Sequence, residues 1–389
     1  MPEESRLPSP AQPWIAALVA ILLAVAPASN ALAQVPSEWR VGATPTLTLG
    51  RDEGDPEALL NEVVSATRLA DGSVLVGDRG EFAFKIFGPD GTHRKSFARH
   101  GSGPGEVRYL GWMLRCGDRL YSYDIQEGHR VSVFQLDGRY LRDFRFRTPA
   151  GQQVPYRSAC NADGRFAHLG WDALTSVRGG LHRSNVPVWT TLSDSSAAIA
   201  IDSVPGSERW GVVEESQLVG SRPLPLGRQP VIGIGRTRIY VGSADRFEVN
   251  VYDLAGKREA PLRAPLPQRP VTRTDIRAEI DRAVAEAGES RRARLERAYS
   301  EITFPTVLPA YTALVVDSED HVWVRAYAGP ASPTADWYVF VATGALRARV
   351  KLPRELEVSE IGRDYVLGRR LDPDESVPLV EMYSLSRTP

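Results

Sequence analysis

An all-β chain folded as a six-bladed β-propeller is predicted by three observations: a short pattern that recurs six times, tight turns at matching points of each recurrence, and chain ends that complete one another. The pattern is apolar, any residue, apolar, aromatic. It stands at Phe84-Lys85-Ile86-Phe87, Val131-Ser132-Val133-Phe134, Val186-Pro187-Val188-Trp189, Val249-Asn250-Val251-Tyr252, Trp337-Tyr338-Val339-Phe340 and Val380-Glu381-Met382-Tyr383. Alternation of this kind marks a strand. Copies about every 40–50 residues, insertions apart, match the length of a four-stranded blade.

The first element in chain order is a leader. Ile15 to Ala26 read IAALVAILLAVA, a run too short to span a bilayer, and Ala31-Leu32-Ala33 is a small-x-small cleavage signal. This predicts a secretory signal peptide over 1–33, cleaved before Gln34, and a mature domain over 34–389. An uncleaved anchor is the alternative, because Arg6 is opposed by Glu3 and Glu4. No cysteine lies near the cleavage point, which excludes a lipid-modified N-terminal Cys. With the leader removed, no membrane span remains. Val41–Gly50 (VGATPTLTLG) follows, β-like but with no companion strand before it.

The repeats come next, with strands lettered A to D from the centre outward. In the first, Ala70-Asp71-Gly72 turns the chain into Ser73-Val74-Leu75-Val76, and Pro89-Asp90-Gly91 follows the patterned C strand. Glycine supplies the positive φ that such turns require. The second repeat runs in parallel: Gly117-Asp118, then Arg119–Asp124, the pattern, and Leu136-Asp137-Gly138. Asp163-Gly164, Gly235-Arg236, Glu319-Asp320 and Gly362-Arg363 make the first turn in later copies. The sixth copy stops after its C strand, so Val41–Gly50 is expected to supply its missing D strand and close the ring. Pro187 removes a ladder donor from the third C strand, and that blade is expected to be irregular.

Two insertions interrupt the repeats. Residues 203–228 read as a long connection carrying Trp210, Glu214 and Glu215. Residues 271–301 read as a helical hairpin between the fourth and fifth blades. Thr272 and Asp275 form a capping box, and Ile276, Ile280, Val284 and Ala287 share one face. Gly288 breaks the run, and Ser290 is placed to cap a second helix carrying Leu295, Ala298 and Tyr299. The apolar stripe is expected to pack on the propeller.

Charged residues make up 24% of the chain. The leader takes one Arg and two Glu from 47 basic and 48 acidic residues, leaving 46 of each. A mature chain of zero net charge with no basic stripe argues against a nucleic-acid partner. Lysines are few, at 85, 95, 257 and 351, so nearly all positive charge is Arg. Cys116 and Cys160 precede matching turns of neighbouring repeats. Export permits a disulfide between them if their Cα atoms approach within about 7 Å; two separate buried thiols are the alternative.

Residues 78–107 (DRGEFAFKIFGPDGTHRKSFARHGSGPGEV) resemble the six-bladed propellers of the NHL and TolB-like group of exported bacterial proteins. The likeness lies in a strand ending in Asp, a strand ending in Phe, an Asp-Gly turn, and the run from Phe97 into Gly101-Ser102-Gly103-Pro104-Gly105-Glu106. It implies a six-bladed ring, and such rings host binding modules, lyases and hydrolases alike. Some members hold Zn or Ca with His, Asp, Glu or Asn around the central channel; those patterns do not map onto residues here.

A–B and C–D turns share one face of a propeller, and here nearly all are tight. The long B–C loops (172–185, 326–336) and D–A connections (203–228, 271–306) therefore emerge on the other face, where binding belongs. Candidate ligand-binding residues on that face are Arg79, Asp124, His129, Trp171, His182, Trp210 and Arg325, Trp and Arg being common anchors. For each one alone, a rim or packing role competes with ligand contact. His100, His129 and His182 lack HxH, HExxH or CxxC spacing, so no metal or other cofactor is expected. There is no G-x-S-x-G elbow and no G-x-x-x-x-G-K-[ST] loop. Gly101–Glu106 lacks a following helix and reads as an inter-blade turn. The expectation is a secreted or periplasmic, non-catalytic binding or scaffolding module for an unidentified protein or small molecule. The alternative is a metal-assisted lyase or hydrolase with its site at the channel mouth.

Overall fold

A computed structural model of the chain describes residues 37–51, 54–149, 154–171, 179–192, 197–214, 217–329, 332–372 and 377–387. The leader lies outside them. The described residues form six sheets of four or five strands and one of three. Within each of the six the main strands run antiparallel, and the arrangement is that of a β-propeller. Inner strands are Val63–Arg68, Leu110–Cys116, Pro155–Cys160, Val231–Ile234, Tyr311–Val316 and Glu357–Ile361. They touch one another in that order, and the last touches the first.

The recurring pattern falls in the third strand of each of the six larger sheets: Ala83–Phe87, Arg130–Gln135, Asn185–Leu192, Glu248–Asp253, Thr334–Phe340 and Pro378–Ser386. Its aromatic residue fills the wedge between neighbouring sheets. Phe134 packs on Leu75 and Phe84 of the first sheet, Tyr252 on Ala167 and Val188 of the third, and Phe340 on Tyr240 and Val249 of the fourth. Tyr383 packs on Trp323 and Trp337 of the fifth sheet, and Phe87 on Leu367 and Val380 of the sixth. Twisted sheets diverge outward, and a large flat side chain is the economical way to fill the gap.

The third sheet is irregular beside Pro187, as expected, but the proline is not the cause. The pairing of the third strand with its outer neighbour shifts between Val188 and Trp189. The same shift occurs at Ile86/Phe87, Val133/Phe134 and Val339/Phe340, in sheets with no proline there. The bulge belongs to the repeat, and Pro187 sits beside it, opposite Ser203.

At the chain ends, Arg40–Val41 pairs antiparallel with Leu385–Ser386, and Leu47–Leu49 with Val380–Met382. Ser37–Glu38 runs parallel to Ala348–Arg349 on the outer strand of the fifth sheet. Trp39, 5% exposed, is buried in the core shared by the fifth and sixth sheets.

The connection read at 203–228 is more ordered than the sequence implied. Ile199–Pro205 completes the third sheet. Arg209–Glu214 and Gln217–Pro223 then form a hairpin, which Gly180–His182 extends to three strands. Helix α1 spans Arg273–Ala287 and begins with the Thr272–Asp275 capping box. Helix α2 spans Arg292–Ser300. Ser290 does not cap it: residues 289–291 form a 3-10 turn, and Arg291 occupies the cap position without a side-chain bond. Of the α1 stripe, Val284 is buried and Ile276 and Ile280 are half-buried.

Cys116 and Cys160 form a disulfide with Cα atoms 5.7 Å apart. Both end inner strands, where neighbouring sheets converge most closely, and this meets the distance condition that the sequence left open.

Candidate functional site

On the long-loop side, the inner strands begin irregularly. Register shifts leave Val64, Gly111, Tyr156, Thr312 and Ser359 without a cross-strand partner. A bulge bends its strand and re-aims a side chain. Gly111, Tyr156 and Thr312 open onto a cavity of about 620 Å³ at the mouth of the central channel. Deeper lies a cavity of about 310 Å³, lined by Ala66, Met113, Ala159, Ile232, Leu314 and Val358, one from each inner strand. To the side, a third cavity of about 600 Å³ lies between the fifth sheet, α1 and the turn Leu224–Gly227. Thr312, Arg325 and Glu357 line both outer cavities, and Ser158, Leu314 and Val358 join the mouth to the channel.

Both insertions wall this space. Asp275, Glu279 and Arg282 line it from α1, at the i, i+4, i+7 spacing of one helix face. Asp275 Oδ2 accepts from the Thr272 backbone (2.9 Å) and hydroxyl (2.6 Å), and Arg282 pairs with Glu279 at 2.6 Å. The turn Leu224–Gly227 is held by buried Glu208. Its carbonyl accepts from Leu224 N (2.8 Å), and its carboxylate accepts from Arg228 N (2.8 Å) and pairs with the Arg228 guanidinium. Arg228 and Arg183 both bind Asp245, at 2.7 and 2.6 Å. Burial pushes the Asp245 carboxyl up, but the Ser243 hydroxyl and the two arginines outweigh it and hold it below the ordinary carboxylate range. Arg222 Nη2 donates to Ala298 O at 3.2 Å, tying the hairpin to α2.

Arg325 is the basic side chain that both outer cavities share. One nitrogen, Nη2, donates to Arg354 O. No carboxylate lies within 4.0 Å of its guanidinium among the described residues. Burial pulls its pKa down from the ordinary guanidinium value, and the charges of Glu357 and Glu355 raise it in part. Tyr327, two residues on, also lines the cavity, and its hydroxyl has no hydrogen-bond partner among the described residues.

The other sequence-predicted residues lie around this centre. Trp171 packs on Tyr156 at the mouth, with rings 4.6 Å apart. His129 sits behind the mouth: its Nδ1 bonds the Tyr123 hydroxyl at 2.8 Å, and Tyr123 stacks at 4.9 Å on Trp112, which lines the mouth. Burial, aided by Arg145, lowers the pKa of His129. His182 and Trp210 belong to the three-stranded sheet, Trp210 opposite Leu181. Arg79 pairs with Glu62 and lies over the Tyr109 ring at 4.8 Å.

Asp124 is buried, and its oxygens accept from the backbone N–H groups of Arg108, Tyr109, Gln126 and Glu127. Asp78 makes the matching bonds to Asn61, Glu62, Gly80 and Glu81 in the first sheet. These carboxylates clip the incoming chain to the loop that follows the second strand. Gly101–Glu106 is likewise clamped: Arg130 donates to the carbonyls of Ser102, Gly103 and Glu106.

The sequence reading missed Tyr327, Thr312, Trp112 and Tyr156. Their positions at strand starts and ends were readable, but the bulges that aim them were not. It also missed Ser158, whose Oγ lies 2.8 Å from His168 Nδ1 at the channel wall. His168 is fully buried, which pushes its pKa down to about 3, so it is a weak base for that hydroxyl. His100 packs against Phe82 at 4.5 Å. Among the described residues, no three His, Cys, Asp or Glu side chains converge as a metal-binding group. No helix among them is long and apolar enough to cross a membrane.

Comparison with known proteins bears on the fold. No protein-family model matches the chain, and no curated protein does. Among solved structures, a member of the DUF4221 family from Bacteroides vulgatus superposes with a TM-score of 0.51 at 11% identity, over 90% of this chain and 99% of that one. The virginiamycin B lyase of Staphylococcus aureus gives 0.40 at 10% identity, over 88% and 98%. A gluconolactonase from Xanthomonas campestris gives 0.43 at 12% identity, over 90% and 97%. At 11% identity the first of these likenesses speaks to architecture, not to chemistry.

Proposed function

We propose that the chain is an exported six-bladed β-propeller, closed by its N-terminal segment, that binds a small molecule at the channel mouth on its long-loop face and does not transform it. The inner strands that touch in a cycle and the pairing of both chain ends support the ring. The apolar leader supports export, to the periplasm or beyond. One observation carries the binding role. The two insertions, far apart in sequence, both contribute walls to one cavity that opens into the channel mouth. Concave space of this size, mixed in polarity and placed on a rigid scaffold, is where small ligands bind. This reading assigns no metal or other cofactor to the site.

Ligand-observed NMR of the mature chain against a fragment collection tests it. Ala328 lines the cavity, and A328W should fill part of it and cost most hits. If no fragment senses A328W, the cavity is not a binding site. Turnover of a bound compound that is lost on substituting Tyr327 or Arg325 would replace the binding reading with an enzymatic one.

A further inference from the structure

The charges around the side cavity are unequally committed. Asp275 is spent on the capping box of α1, and Glu279 on Arg282. Glu357 Oε2 accepts from Nε and Nη2 of Arg369 at 2.9 and 2.6 Å, and Arg354 pairs with Glu355. Arg325 alone among these has no acidic partner within 4.0 Å among the described residues. Arg325 is half-buried, and a guanidinium drawn partly out of water without a counter-charge carries a cost that an arriving anion would offset. Its fork suits the two oxygens of a carboxylate.

The surroundings restrict that anion further. Tyr327 and Thr312 line the same cavity and bring two hydroxyl-bearing side chains to it. Leu224, Pro225, Leu226 and Pro309 give the same cavity apolar walls. Asp275, Glu279 and Glu357 also line it, and their negative charge opposes a second charge on the ligand. A singly charged head is therefore favoured over a phosphate dianion.

We propose that Arg325 is the anchor of a ligand site for an organic monocarboxylate. The head lies on the guanidinium, and the apolar body lies against Leu224–Leu226 and Pro309. The site rests on the binding role proposed above and gives it a substrate class. Both features are needed: the unpaired cation selects charge, and the walls select a body that leaves water.

Isothermal titration of the mature chain with matched pairs tests it: hexanoate and hexanamide, 4-phenylbutyrate and 4-phenylbutyramide, 2-naphthoate and 2-naphthamide, with phenyl phosphate as the dianion. At least one carboxylate should bind tenfold or more tightly than its amide and more tightly than phenyl phosphate. R325Q should erase the difference between acid and amide, and A328W should weaken both. If each amide binds as well as its acid and A328W weakens both, the monocarboxylate assignment is wrong while the binding role stands. If nothing binds in a manner that A328W changes, both fall. A preference for acids that survives in folded R325Q would overturn Arg325 as the anchor. The acid–amide comparison on the unaltered protein decides the matter even if R325Q does not fold.

Discussion

At the scale of single residues, the most exacting chemistry lies away from the cavity, where the chain ends meet. Asp317 is buried and accepts from the Trp323 indole N–H at 2.8 Å, from the His321 backbone at 2.8 Å, and from Arg387 at 2.9 Å. Arg387 also donates to Gly362 O at 2.6 Å and lies over the Trp39 ring at 4.8 Å. R387A would leave the Asp317 carboxylate buried and short of its cation, a change of the kind that costs about 3–5 kcal/mol. Urea unfolding should show that loss, and R387K should recover little of it, because an ammonium can neither fork nor stack. Burial raises the pKa of Asp317, but its hydrogen bonds from His321 and Trp323 and the charge of Arg387 leave it below the ordinary value. A carboxyl lowered in the folded state contributes stability above its unfolded pKa of about 4 and loses it as pH falls through the folded value. Wild-type stability should therefore fall steeply in acid, and less steeply in R387A. Equal acid slopes would remove Asp317 from the account.

At the scale of elements, the disulfide joins the inner strands of the second and third sheets across 44 residues. Chain-entropy arithmetic for a loop of that length gives about 4 kcal/mol, with about 2–4 typical of measured bridges. C116A/C160A should lose stability in that range while keeping the far-UV spectrum of a β protein. An unchanged unfolding midpoint would mean the bridge constrains nothing. The elements also show what the sequence could and could not reveal. The third strands were readable because each aromatic must fill the same wedge, so packing imposes residue type at a fixed interval. The hairpin over 209–223 was not, because it packs outside the repeat and carries no such aromatic. Asp124 read as a binding residue because a buried carboxylate on a loop face looks the same whether it meets a ligand or backbone N–H groups. Arg325 was readable as a residue on the right face. Its lack of a partner was not, because that depends on α1, the fifth sheet and Arg369 all committing the nearby carboxylates elsewhere.

At the scale of the whole molecule, stability of a ring depends on its seam. If the sixth sheet takes its outer strands from the N-terminus, residues 37–50 hold together two ends more than three hundred residues apart in sequence. The segment carries more than hydrogen bonds. Trp39 fills the core between the fifth and sixth sheets and receives Arg387 on its face, and Leu49 is buried beneath the first sheet's Val74 and Phe87. Deleting 37–50 should therefore expose the edge of Pro378–Ser386 and open two interfaces at once. The expected outcome is a large fall in melting temperature, or aggregation through the unpaired edge. A synthetic peptide of residues 37–50 supplied in trans should restore part of the loss, since the groove it fills is built by the rest of the chain. Repeat arrays with independent units would instead lose only the terminal sheet and melt in two steps. A truncated protein that melts like the mature chain would show that the ring holds without its N-terminal strands. A truncated protein that melts in two steps, with the peptide restoring only the first, would confine the seam to the sixth sheet and leave the channel-mouth cavity of the fifth intact.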